Sequence, residues 1–126
     1  MNDRYFTAQA ETHSSGTRGR ALNKVRTNHF VIDDPALPAY GGPGEAPNAA
    51  EYFLSGITGC AVLMIERLAR EGELPLTRVH AAMEATRDTE AERPGPPVFD
   101  SARLTFTFAG LTREQAGQLV ETFKGR

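Results

Sequence analysis

The stretch from Asn48 to Gly72 constrains this chain most. After Glu51 it carries no charge until Glu66, and Tyr52, Phe53, Leu54, Ile57, Val62, Leu63, Met64 and Ile65 are interleaved with small residues. Asn48 supplies a capping side chain, Glu51 three residues later completes a capping box, and Gly72 is a C-terminal stop. These signals predict one long helix, about 36 Å from end to end. A helix apolar on all sides in a soluble protein has to be surrounded. The chain has 126 residues, which reads as a single domain spanning 1–126. One domain of that size can hardly wrap such a helix, so a partner subunit is expected. Gly56 and Gly59 would let a neighbouring backbone come close, although each costs about 1 kcal/mol in helix propensity.

The flanking segments read as strands. From Arg4 to His13, Phe6, Ala8 and Ala10 alternate with Tyr5, Thr7, Gln9 and Glu11, the period of two that marks a strand with one covered face. A turn at Ser14–Thr17 leads to a basic second strand, Arg18 to Arg26, and a third follows at Asn28–Ile32. Asp33 to Pro47 holds four prolines and three glycines, a density that excludes regular structure and predicts an ordered loop. Leu76–Asp88 and Val98–Ala109 alternate again, joined by a polar, proline-rich connection at Thr89–Pro97. Thr112 caps a final helix with the stripe Ala116, Leu119, Val120 and Phe123. The order βββ-α-ββ-α makes an α+β fold with largely antiparallel sheets.

Charge and composition exclude several function classes. There are 14 Lys+Arg against 16 Asp+Glu, a net charge of -2, which offers nucleic acid or an anionic membrane no electrostatic attraction. No apolar run approaches the roughly 20 residues of a membrane span, and the first 30 residues lack the apolar stretch of a signal peptide. His13, His29 and His80 sit on separate predicted strands without ligand spacing, so neither a metal nor another cofactor is expected. Gly41-Gly42-Pro43-Gly44 lacks the Lys-Ser/Thr of a phosphate loop and reads as turn geometry. The one cysteine, Cys60, rules out a disulfide within this chain and fits a reducing, cytoplasmic setting.

Cys60 has two readings. Mid-helix among Ile57, Ala61 and Met64, it can serve as a small hydrophobe of the core. To be reactive it needs a thiolate, hence a cation. It lies too deep in the helix for the N-terminal dipole to help. The activating charge must come from another element, and Arg18 and Arg20 are the candidates.

The series Val31-Ile32-Asp33-Asp34-Pro35, Gly41-Gly42-Pro43-Gly44-Glu45-Ala46-Pro47-Asn48-Ala49-Ala50-Glu51 and Ser55-Gly56-Ile57-Thr58-Gly59-Cys60 resembles the osmotically inducible protein / organic hydroperoxide resistance (OsmC/Ohr) family. Leu111-Thr112-Arg113-Glu114-Gln115-Ala116 resembles its last helix. The resemblance implies an intertwined homodimer, with a long buried central helix from each chain between antiparallel sheets that draw strands from both. It also implies a thiol peroxidase: a helix cysteine attacks the O–O bond of an organic hydroperoxide, a second cysteine captures the sulfenic acid, and an Arg–Glu pair steadies the thiolate. Cys60 matches the peroxidatic cysteine. Arg18 is the best counterpart of the family arginine, with Arg20 a close rival.

Two departures stand out. The resolving cysteine would be expected just beyond Arg126, where the sequence stops. The family carboxylate lies ten residues before the cysteine, where this chain has Ala50. Glu51 lies nine before, about 180° round the helix from Cys60, whereas ten would place it about 80° away. Glu51 therefore reads as a cap that pairs with some other cation. Two functional expectations follow. In one, the homodimer reduces organic or lipid hydroperoxides with Cys60 as the thiol and a dithiol as reductant, the substrate entering an apolar interface pocket lined by Phe53, Ile57 and Met64. In the other, a redox-silent protein binds a hydrophobic, lipid-like molecule in that interface, with Cys60 as packing.

Overall fold

The computed structural model describes residues 4–91 and 99–125. Seven elements follow the predicted order: β1 (Glu11–Ser14), β2 (Arg20–Val25), β3 (Asn28–Asp33), α1 (Ala49–Glu71), β4 (Arg78–Thr86), β5 (Ser101–Ala109) and α2 (Arg113–Lys124). Most of the proline-rich connection predicted before β5, and the predicted strand start at Val98, lie outside the described residues. The chain divides into two compact units, Met1–Tyr52 and Phe53–Arg126.

In the first unit, β1, β2 and β3 form an antiparallel sheet in that order. The first strand is much shorter than its alternation predicts. Glu11 pairs with Lys24, so Ala10 and the residues before it would need partners at Val25 and beyond. There the chain turns through Arg26 and Thr27 into β3, with Val25 opposite Asn28. The apolar period of Arg4–Ala10 thus meets nothing to pair with in this sheet, and Phe6 is 93% exposed. Arg26, at the tip of the β2–β3 hairpin, has φ +55°, in the left-handed region that non-glycine residues enter rarely. The second strand also starts late, at Arg20, because Thr17–Arg20 forms a turn with Gly19 at φ +75° and Arg20 N donating to Thr17 O.

The start of α1 has the expected capping box. Asn48 N donates to Glu51 Oε1 at 2.9 Å, and Glu51 N to Asn48 Oδ1 at 2.8 Å. Tyr52 ties this turn to β3: its hydroxyl donates to Val31 O at 2.8 Å and its ring meets Phe30 edge-on.

In the second unit, β4 and β5 pair antiparallel from Arg78↔Ala109 to Thr86↔Ser101. The alternation puts Val79, Phe106 and Phe108 on one face, where they pack with Leu119 and Phe123 of α2 against Ile65, Leu68 and Ala69 of α1. Thr112 caps α2, in a box closed by Gln115. Gly110 leaves β5 at φ +91°, where an added Cβ would lie 2.4 Å from Pro75 O; only glycine fits that corner.

The sequence led us to expect α1 to be enclosed. Within one chain only its Ala61, Ile65, Leu68 and Ala69 side is buried, while Phe53 and Leu63 are each 61% exposed. The expectation that no segment reaches membrane-span length also needs correction. By length and composition α1 passes that test, because Ser55, Gly56, Thr58 and Gly59 interrupt the apolar run without charging it.

Ile65 is fully buried at the centre of the α1–α2–sheet cluster. Ile65→Ala should lower unfolding free energy by about 2–5 kcal/mol, read from the urea midpoint at unchanged m-value.

Candidate functional site

Within the first unit, a buried polar cluster centres on Asp33. The two-residue hairpin turn sets the register that places Asp33 opposite Arg20. Arg20 Nε donates to Asp33 Oδ1 at 2.7 Å and Nη2 to Oδ2 at 2.8 Å, the paired geometry that suits a planar guanidinium. Oδ2 also accepts from the Glu45 and Ala46 N–H groups at 3.0 and 3.1 Å. The Glu45 carboxylate stands 3.6 Å from Arg20 Nη2. Asp33 is only 1% exposed, and four donors satisfy its charge. The twofold bond from Arg20 is the main cause holding its carboxyl at about 2, from an ordinary 3.8; the two backbone donors add to this and desolvation opposes it. The same pair raises the Arg20 guanidinium further.

This cluster pins both ends of the Asp33–Pro47 loop. Asp33 N donates to Pro47 O at 3.1 Å, and Asp34 N donates to Gly19 O at 2.8 Å. Prolines and glycines make the loop irregular, yet its backbone groups are bonded: Gly42 N to Pro35 O and Gly44 N to Asp34 O, both at 3.1 Å. Sequence reasoning missed Asp33 and Glu45. The usable signal was the hairpin itself, since a two-residue turn at Arg26–Thr27 puts positions 20 and 33 face to face.

The two arginines expected at the site therefore differ. Arg20 is held by a buried carboxylate. Arg18 is exposed on the Thr17–Arg20 turn, with its guanidinium against the backbone of Gly41. Glu51 uses its carboxylate on the N–H of its own cap residue.

In the second unit, Cys60 is exposed. Phe53, Ile57, Cys60 and Met64 follow the 3–4-residue spacing of one helix stripe. Phe53 is open to solvent, Ile57 is half-buried, and Met64 packs against the Ile65–Leu68–Leu119 cluster. Three of the four predicted residues thus present surface on α1, and Met64 serves the core. No group of three or more His, Cys, Asp or Glu able to hold a metal occurs among the described residues.

Residues 42–126 match the family model described as OsmC-like protein. The chain belongs to the OsmC-like protein family. Solved structures with this fold include an OsmC-like protein from Mycoplasma pneumoniae (TM-score 0.80, 11% identity, covering 96% of this chain and 82% of that one). An organic hydroperoxide resistance protein OsmC from Legionella pneumophila also matches (TM-score 0.68, 22% identity, 94% and 82%). So does the organic hydroperoxide resistance protein OhrB of Bacillus subtilis (TM-score 0.65, 21% identity, 94% and 83%). No curated protein matches the sequence. At these identities the likeness establishes the OsmC-like fold.

The Asp33 carboxyl ionises more easily in the folded chain than at its ordinary 3.8. Its contribution is therefore complete above about pH 4 and is lost as pH falls towards 2. Urea midpoints of the wild type should fall across that interval, and Asp33→Asn should flatten that part of the curve while lowering its plateau.

Proposed function

We propose that this OsmC-like protein is a thiol-dependent reductase of organic or lipid hydroperoxides, acting in peroxide-stress defence in the cytoplasm with Cys60 as the peroxidatic thiol. The observation that carries this reading is an exposed thiol on an apolar helix face, within a fold whose relatives include proteins named for organic hydroperoxide resistance. The Cys60 thiolate attacks one peroxide oxygen, the S–O bond forms as the O–O bond breaks, and the departing alkoxide takes a proton to leave as an alcohol. Cys60 is then a sulfenic acid. An external dithiol supplies the two electrons that return it to the thiol: one sulfur forms a mixed disulfide with release of water, and the second expels Cys60.

Of the two arginines available for the thiolate, Arg18 is the one we assign, because Arg20 is engaged by Asp33. The working unit is a homodimer. The bare side of α1, with Phe53, Gly56, Gly59 and Leu63, calls for an apolar cover, and a second copy supplies one of the same character. The apolar stripe Phe53–Ile57 beside Cys60 suits a lipid-like substrate better than hydrogen peroxide.

A second reading has its own support. Ala50 stands where the peroxidases carry their carboxylate, and Glu51 is committed to the cap. This favours a redox-silent protein that binds a hydrophobic small molecule at the same interface.

With a dithiol reductant and cumene hydroperoxide, Cys60→Ser should abolish turnover, and Arg18→Ala should slow it about tenfold or more. Arg20→Ala should show chiefly as a lower Tm. Turnover surviving Cys60→Ser would replace the first reading by the second, which expects a fatty acid to raise Tm equally in wild type and Cys60→Ala. Sedimentation should give a dimer; a stable folded monomer would refute the proposed assembly.

A further inference from the structure

In the second unit, the last turn of α1 and the start of β4 enclose a cleft of about 110 Å³. Its frame is rigid. Gly72 N donates to Leu68 O at 3.0 Å, Glu73 N to Arg70 O at 3.1 Å and Leu74 N to Ala69 O at 2.9 Å, so the chain reverses tightly off the helix, with Glu73 at φ +53°. Thr77 N then donates to Ala109 O at 2.9 Å and fixes the entry to β4. Ala69, only 2% exposed, forms the floor with Leu74 and Leu76, and both leucines pack against the Ile65–Leu68–Leu119 cluster. Three charged side chains line this frame: Glu66 and Arg70 from α1, and Arg78 from β4. Glu66 and Arg70 have the i,i+4 spacing and the order that favour an ion pair on a helix. Neither they nor Arg78 form one among the described residues. Elsewhere in this unit exposed charges do close, Glu84 with Arg103 and Glu121 with Lys124. The cleft thus sets two cations and one carboxylate, an excess of one positive charge, beside an apolar floor.

We infer that this cleft binds a small organic monocarboxylate, its oxygens held by Arg70 and Arg78 and its short alkyl part resting on Leu74 and Leu76. Size sets the class. The volume is well below the roughly 300–1,000 Å³ of a drug-sized site, so it admits only a few heavy atoms. Guanidinium groups meet a carboxylate with paired N–H donors, and half-buried leucines give an alkyl group a surface that inorganic anions cannot use. Charge narrows the class further. Glu66 on the wall and the carbonyl end of α1 both oppose negative charge, which favours a single charge over the double charge of phosphate. What fixes the site is the backbone: position 70 stands on the helix side and position 78 on the strand side of the crevice, whichever rotamer each arginine adopts. Cys60 plays no part in it.

The test is a titration of the ¹⁵N-labelled full chain with sodium propionate, following amide shifts at constant ionic strength, with sodium chloride and sodium phosphate as comparison salts. Propionate should shift the Leu74, Thr77 and Arg78 amides saturably, with a millimolar Kd, while chloride and phosphate should not. Arg70→Gln and Arg78→Gln should each raise that Kd about tenfold or more, through lost charge-assisted hydrogen bonds. Glu66→Gln should tighten propionate binding several-fold and open the cleft to phosphate. Cys60→Ser should bind as the wild type does, so the site stands even if the peroxidase reading fails. A linear response shared with chloride, shifts that survive both arginine substitutions, or phosphate binding the wild type as well as propionate would each overturn the inference. Should a variant fail to fold, the wild type alone decides: formate, which lacks the alkyl part, should bind more weakly than propionate, and equal affinity would refute the apolar floor.

Discussion

The carboxylate of Asp33 is the constraint on which the N-terminal half depends. Four N–H groups converge on it, two from a guanidinium across the hairpin and two from the far end of the loop. A buried carboxylate tolerates this isolation only while every partner is present, because removing one leaves charge without compensation. The cluster therefore specifies geometry more than it adds strength. It holds the sweep that runs from Asp33, at the end of β3, to Pro47 in one shape, delivers the chain to the α1 cap, and keeps the Arg18 turn against Gly41. One side chain thus links the register of a hairpin, the path of a loop and the presentation of a cation.

Much of the fold was legible because it rests on local rules. The Asn48/Glu51 capping box and the Thr112 cap mark the two helix starts, and period-two alternation marks β4 and β5. These signals need only a few neighbours in sequence. Failures came where pairing across distance decides. Arg4–Ala10 alternates as cleanly as a strand, yet β2 runs out at Val25 and leaves it no partner in the sheet. Alternation reports which side chains could be covered; it does not report whether a backbone lies alongside. The membrane-length test failed differently: small hydroxyl residues and glycines look like interruptions to the eye but hardly lower the hydropathy of a helix.

At the site, residue types were readable and their division of labour was not. Arg18 and Arg20 look interchangeable in the sequence, two cations on either side of Gly19. Only the hairpin register shows that the second faces a buried acid and the first faces bare backbone. Glu51 illustrates the reverse. Its spacing from Asn48 declared a capping role, its spacing from Cys60 argued against proximity to the thiol, and its hydrogen bond to the Asn48 N–H agrees with the first. A carboxylate engaged at a helix start does not orient a guanidinium elsewhere. Any activation of Cys60 must then rely on positive charge, with less help from an acidic partner than the peroxidase pattern supplies.

The hairpin tip shows where this chain has slack. Arg26 occupies a backbone conformation that costs an L-residue about 1 kcal/mol and that glycine or asparagine would adopt more readily. A long cation is kept where the main chain favours something smaller, two residues from the place where the incoming N-terminal segment loses its neighbour. That corner lies away from Asp33 in the β2–β3 register, and an engineer seeking thermal margin in this scaffold would begin there.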